Sequence, residues 1–522
     1  IQANTLGEAA GKISLTGDNI ATTGAISADG GSNGQGGTIK IIANHKTAVD
    51  GQLSAKGGQL AGDGGFIETS GDIVRIGDHS SIQANAPQGK AGQWLIDPVD
   101  ITISDDGTDQ SEDGTNISTS YITNTLGNGT SVTLDTHKDG NDDGTITVDG
   151  EIIVNPSTGV TLTLEANKAI NINKDISFIG KNASNLTLKT TDADSQINNQ
   201  AKIDIGNGTL NITTGKNGVL NTGSIGADTV NITAHTIKQA EVVTVTPFAI
   251  NQLNLRQANE NQSIYIGDTS PTGAESMAEA SLFASGGVFS KVENLKLIAG
   301  SNQDIQLKDV DFQNANITAY QKWLQSGRTL NIAGNVSTKG SLVVYTEKFN
   351  VADNARLTSF GLQMDENVNI IRAGSNAKII SGNNEAFTYH PDYSFLSIVN
   401  SPNLTEDNSI NYDFLNALEG FSKYEVENNR DFLTMEGGQL NKSITFRGNV
   451  LYLDGTLSIA SPNNQELTLT MNGHSDIGVT WGGIQMQGKG TLNLITNGAI
   501  NLQNTKLNMG EGNLNMVAQN LN

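Results

Sequence analysis

The stretch "GGFIETSGDIVRIGDHSSIQANAPQGKAGQWLIDPVDITI", residues 64–103, sets three large apolar side chains, Phe66, Trp94 and Ile96, among Gly, Ser and Asp. Such a mixture belongs either to a loop-rich enzyme segment or to one turn of a repeat. Its neighbours decide between them. "ISADGGSNGQGGTIKII" (26–42), "LSAKGGQLAGDGGFIET" (53–69) and "IQANAPQGKAGQWLIDP" (82–98) each open with an aliphatic, a polar residue and Ala: Ile26/Ala28, Leu53/Ala55, Ile82/Ala84. Each closes on a pair, Thr38-Ile39, Phe66-Ile67 and Trp94-Leu95, and Ile39, Ile67 and Leu95 follow one another at steps of 28 residues. A fixed period in the twenties with Gly punctuation is the mark of a solenoid. Phe66, Trp94 and Ile96 are then expected as anchors inside coils, and Asp97-Pro98 as a corner.

Further along the period tightens. Leu162-x-Leu164, Leu186-x-Leu188, Leu210-x-Ile212 and Val230-x-Ile232 recur at 24, 24 and 20 residues, and Leu467-x-Leu469, Leu492-x-Leu494 and Leu514-x-Met516 form a similar series. Within each unit apolar residues alternate with Thr or Asn, as half-buried strands require. Asn, Gly and Asp fill the gaps, where corners need positive φ or side-chain turn bonds. Units this short have no room for crossover helices. The expected fold is therefore all-β, a right-handed parallel β-helix with short helical and loop insertions; with about 100 residues set aside as insertions, about 17 coils stack about 4.8 Å apart. The alternative, a set of β-sandwiches, calls for hairpin dipeptides every 8–12 residues instead of aligned ladders.

Composition narrows the function. The 522 residues carry a formal charge of −23 with only 16% charged residues, so polarity comes from Asn, Gly, Ser, Thr and Gln. An acidic chain is repelled by nucleic acid and by anionic membranes. Cys is absent, which excludes disulfides and thiolate metal sites. No apolar run reaches the length of a membrane span, and the opening residues lack the pattern of a signal peptide. Both ends lie inside patterned sequence, so the chain reads as a fragment of something longer.

"GDGGFIETSG" (62–71) followed by "GKAGQWLIDPVDITI" (89–103) resembles the signature near the start of filamentous-haemagglutinin-like exoproteins of two-partner secretion, the large adhesins of Gram-negative bacteria. "INQLNLRQANENQSIYIGD" through "VENLKLIAGSNQDIQL" (250–307) is similar to their recurrent strand, short helix, strand segment. The match is sharp over about residues 25–105 and mostly periodic elsewhere. The resemblance implies a right-handed β-helix, an outer-membrane transporter as partner during export, and a place secreted or at the cell surface. The family's secretion domain, with its Asn-Pro-Asn-Gly type motif, is not in this chain, so the export signal is expected upstream.

The segments expected are regular coils with the family signature over 1–104, continuing coils with acidic loops over 105–268, a short helical insertion at 269–292, coils over 293–381, an aromatic-rich insertion at 382–437, and coils over 438–522. In the first insertion Met277, Leu282 and Phe283 have roughly helical spacing before Gly286-Gly287 stops the run. The second holds nine of the chain's 23 Phe and Tyr residues. Within it, residues 411–429 have helical periodicity that sets Phe414, Leu415, Leu418 and Phe421 on one face. Tyr389, Tyr393, Tyr412 and Tyr424 are the candidate ligand-binding residues, expected to be exposed, because Tyr offers contact area and a polar tip at low entropy cost. The alternative is that these rings form the insertion's own core. As an excursion, the segment is expected to be replaceable by a short loop without harm to the coils.

Catalytic signals are thin. Glycosidic cleavage needs paired carboxylates, and Asp192, Asp194 and Asp476 lack a basic partner set in the sequence. The six histidines lie at no metal-ligand spacing. Asp139-x-Asn141-x-Asp143-Gly144 matches half of a calcium loop, but its twelfth position is Gly150, with Glu151 one residue late, so a solvated turn is the simpler reading. The expectation is a non-enzymatic adhesin segment without cofactor or metal, whose partner is a host-cell or matrix glycan or protein. Capture of a host carrier protein, such as a haem carrier, is the alternative the resemblance allows, and a β-helix polysaccharide lyase or hydrolase is a third.

Overall fold

The computed structural model describes every residue except 5–10, 106–113, 137–143, 242–243, 268–275, 302, 322–327, 392–393, 401–407, 462 and 464, and the side chain of Asn429. Of the described residues 57% are strand and 4% helix, and the parallel strands stack as a β-solenoid of about 19 turns. The chain divides into two compact units, Ile1–Asn259 with Met277–Glu293, and Glu260–Ser276 with Asn294–Asn522.

In the first unit one inward column shows how the sequence builds the coil. Ile13 lies opposite Ile39, and the series continues through Ile67, Trp94, Val132, Leu162, Leu186, Leu210, Val230 and Leu253, each in parallel register with the next. All ten are buried. Because side chains alternate between faces, an aliphatic at every second position fills the interior while Thr, Asn and Lys face out. Full burial of each large aliphatic is worth roughly 1.5–3 kcal/mol. On the outer face Asn221 Nδ2 donates to Asn198 Oδ1 at 2.7 Å, and Asn198 Nδ2 to Asn171 Oδ1 at 2.9 Å. Such amide ladders match donors to acceptors from coil to coil.

The ladder at Leu162, Leu186, Leu210 and Val230 has the expected register, but the opening stretch does not. Ile67 pairs with Trp94, not Leu95, a step of 27 residues. Trp94 and Ile96 point inward and are fully buried, whereas Leu95 faces out beside Glu68. Phe66 is also on the outer face and is no core anchor. Its ring lies 5.5 Å from Lys40 Nζ, and that ammonium pairs with Glu68 at 2.7 Å. A one-residue slip in register exchanges the two faces.

One helix was not expected. Thr119–Gly127 begins at Ser118, whose hydroxyl accepts from the Ser120 amide, and it buries Ile122 and Leu126 one turn apart. Conversely, the helical content of the described part of 269–292 is the 3₁₀ turn Ala280–Leu282, which follows a parallel bridge from Ala278 to Ile237. Met277, Leu282 and Phe283 are buried there, and Phe283 packs on Phe289 with ring centroids 5.4 Å apart.

In the second unit, residues 382–437 are largely part of the coils. Ala386–Tyr389 pairs with Lys423–Leu440, Ser409–Asn411 with Ile370–Ala373, and Leu418–Glu419 with Lys378–Ser381. Phe395–Val399 is an extra strand on one face, lying between Ser409–Asn411 and Lys423–Leu440 although it precedes both in sequence. The helical period over 411–429 yields only the helix Tyr412–Ala417, capped by the Asn411 side chain. Leu418 then turns extended and enters the interior opposite Ile379, and Gly420 takes a φ of +74°. Strand pairing has overridden the helical pattern.

Candidate functional site

The strands of the aromatic stretch decide the fate of its rings. In Ala386–Tyr389, Phe387 and Tyr389 share the inward parity, and both are buried. Tyr389 donates its hydroxyl to the Val368 carbonyl. Tyr412 is buried at the start of its helix and donates to the Glu436 carbonyl at 2.6 Å; burial pushes its hydroxyl far above the ordinary tyrosine range. The expectation that these two tyrosines are exposed for a ligand is therefore corrected: coil pairing turns them into core. Tyr424 is half-buried, its ring 6.0 Å from Phe421 and 5.0 Å from Lys442 Nζ, and burial raises its hydroxyl. Tyr393 lies outside the described residues. Phe349, Phe414, Phe387 and Phe421 complete a chain of ring contacts at 5.8–6.0 Å, a core of the kind the alternative reading gave.

Other side chains face outward. Phe395 and Phe432 are direct neighbours in register, 46% and 47% exposed. Tyr452 and Trp481 are exposed on following coils. The alternation carries this signal: Phe432 precedes the inward Leu433 and Met435, and Tyr452 sits between the inward Leu451 and Leu453. Aromatic density marks the stretch that holds Phe395 and Phe432, but not which of its rings face outward.

Before Phe432 the strands turn a corner. Register shifts between Asn428 and Phe432 and between Gly448 and Val450 leave a groove there with a cavity of about 260 Å³. Glu427, Arg447, Asn449, Asn472, His474 and Asn497 line it, with Glu427, Arg447 and Asn472 opposite one another on successive coils. Glu427 is held by His390 Nδ1 at 2.9 Å, while Arg447 Nε bonds Glu425. Ser475 donates to Asn449 Oδ1 at 2.6 Å. The groove thus offers charges of both signs and three planar amides, suited to a ligand rich in hydroxyls or peptide groups. A smaller cleft of about 130 Å³ lies at Thr329, Lys348, Asn350 and Arg372, with Arg372 Nε donating to Asn350 Oδ1 at 3.0 Å.

The carboxylates singled out in the sequence bond within a coil or to the next one. Asp192 accepts the Asp194 amide, Asp194 accepts Asn217 Nδ2, and Asp476 accepts the Ala499 amide of the next coil. Asp192 and Asp194 belong to the first unit and Asp476 to the second. Asp139, Asn141 and Asp143 lie outside the described residues, so the calcium-loop reading falls there. Among the described residues, no three His, Asp or Glu side chains gather as a metal site.

No protein-family model and no curated protein matches this chain.

Proposed function

We propose that this β-helix is a non-enzymatic segment of a secreted or surface-displayed adhesin, and that the outer face of its second unit meets the target. The observation that carries this reading is the set of solvent-facing aromatics on successive paired strands: Phe395 and Phe432 side by side after the groove at Glu427 and Arg447, Tyr452 two positions further along the next strand, and Trp481 at the far corner of the strand after that. Exposed large rings next to polar side chains are the composition of a recognition surface, and a paired sheet holds them at fixed spacing. Glu425 is engaged by Lys423 and Arg447, and Glu427 by His390, so the groove presents paired polar groups to a ligand. Export through a dedicated outer-membrane pore belongs to the same reading and rests on the resemblance carried by residues 62–71 and 89–103.

The test is adhesion. Beads coated with the chain are expected to attach to cultured host cells or to matrix, and soluble chain is expected to compete them off. Beads that attach to neither, from a chain with an intact β-rich spectrum, contradict the proposal. So does turnover of a polysaccharide by the purified chain.

A further inference from the structure

Eight non-glycine residues have a left-handed φ among the described residues, and seven of them are Asn, Asp or Gln. The eighth is Trp481, at +52°. A bulky side chain in that region is strained, whereas Gly and Asn adopt it with little penalty. The corner shows what the fold prefers there. Asp454, Thr480 and Gln503 are opposite one another on three coils, and the residues after them are Gly455 (φ +99°), Trp481 and Asn504 (φ +54°). Burial does not offset the strain, since Trp481 is 77% exposed. A strained, exposed indole where neighbouring coils carry Gly and Asn points to a use outside the fold.

Its surroundings define that use. Tyr452 lies across Gly478, with its hydroxyl 2.5 Å from Oγ1 of Thr480, the residue before Trp481. Asp454 and Gln503 flank Thr480 in register, Glu436 stands beside Asp454, and all three are exposed. Position 482 is held to glycine, because a Cβ there would meet the Gly455 carbonyl at 2.2 Å; the ledge beside the indole therefore stays low. An indole next to a low ledge, with carboxylates and an amide within the same patch, matches a sugar ring: its C–H face lies on the indole and its hydroxyls donate to Asp454 and Glu436.

We propose that Trp481, with Tyr452, Asp454, Glu436 and Gln503, forms a stacking site for a neutral saccharide. This rests on the reading of the second unit as an adhesive face and names the class of ligand that the corner takes. A protein pocket closing over Trp481 would bury two carboxylates without counter-charges, whereas hydroxyl groups satisfy them directly. An anionic glycan would meet Asp454 and Glu436 and a chain of net charge −23.

The experiment uses the full chain, an array of immobilised neutral oligosaccharides, and the variants Trp481→Asn and Trp481→Ala. The parent is expected to bind members of the array, to keep that binding at high salt, and to change its tryptophan fluorescence on binding. Trp481→Asn is expected to fold with equal or higher thermal stability, because the left-handed strain is relieved, and both variants to lose at least about thirtyfold in affinity. Equal binding by parent and Trp481→Asn overturns the site, as does a lower melting temperature for Trp481→Asn. Binding only to cationic peptides, abolished by salt, overturns the ligand class. If chain-coated beads adhere to cells yet no neutral oligosaccharide binds, the saccharide site falls and the adhesive reading stands; if they adhere to nothing, the reading itself falls.

Discussion

Trp94 donates its indole N–H to Thr69 Oγ1 at 3.1 Å, reaching from one coil to the one before it, with both side chains fully buried. The bond explains how a residue with a polar edge fills a column otherwise made of Ile, Leu and Val. A buried indole nitrogen needs an acceptor, and Thr69 supplies it from the neighbouring strand.

Two substitutions separate the volume of Trp94 from its hydrogen bond. Trp94→Ala is expected to cost about 3–5 kcal/mol through the cavity it leaves. Thr69→Val keeps the shape but strands the N–H, and is expected to cost about 1–3 kcal/mol. Urea unfolding of the two variants checks both figures, and an unchanged midpoint for Thr69→Val would show that the bond carries nothing.

The amide ladder at Asn171, Asn198 and Asn221 gives a second prediction. Asn198 accepts from one neighbour and donates to the other. Asn198→Asp retains the acceptor but removes the donor, so Asn171 Oδ1 then faces a carboxylate. A loss of about 1–2 kcal/mol is expected, larger than for Asn198→Ala at the same pH, because the aspartate adds repulsion between oxygens. Equal losses would mean that the ladder is decoration.

What the sequence made legible follows the same logic. The Leu162, Leu186, Leu210 and Val230 ladder could be read because aliphatic-x-aliphatic motifs recur there with a single polar residue between each pair, so only one face can be apolar. At Trp94 and Leu95 two large apolar residues are adjacent, so either could face inward, and a step of 27 instead of 28 residues decides it. Spacing alone does not reveal a corner one residue shorter. The aromatic stretch failed for a related reason. Composition marks where rings are dense, but only strand boundaries assign each ring to a face, and those boundaries depend on pairing with distant coils. Trp481 left no trace in periodicity, because its significance is a backbone angle.

Because the aromatic stretch supplies paired strands, replacing residues 382–437 with a short Gly/Ser loop is expected to damage the second unit, contrary to the reading of this segment as an excursion. Ile370–Ala373 and Lys378–Ser381 would lose neighbours on one side. Amide exchange in those strands should accelerate by orders of magnitude as their edges open. Unchanged protection would contradict the pairing.

Lys442 provides a pH test. Its Nζ donates to the Asn416 carbonyl at 2.9 Å and to that of Leu418, and burial lowers its ammonium to about 8. The unfolded chain, with a lysine near its ordinary value of about 10.4, binds more protons across the interval between the two. Stability contributed at this site is therefore lowest below about pH 8 and rises from about pH 8 to about pH 10. Denaturant midpoints of the parent are expected to gain on those of Lys442→Met over that range. A constant difference would mean that the ammonium is not desolvated.

The most direct test of the adhesive face compares two full-length variants in one adhesion assay. The first carries Phe395→Ser, Phe432→Ser and Trp481→Asn on the second unit. The second carries Leu60→Ser, Ile153→Ser and Ile179→Ser on the first unit, three apolar side chains 50–70% exposed, as the control for loss of exposed apolar surface. Beads coated with the first are expected to lose most of their attachment to host cells or matrix, while beads coated with the second attach like the parent. Equal attachment by both variants, each with an intact β-rich spectrum, would contradict the claim that the outer face of the second unit meets the target.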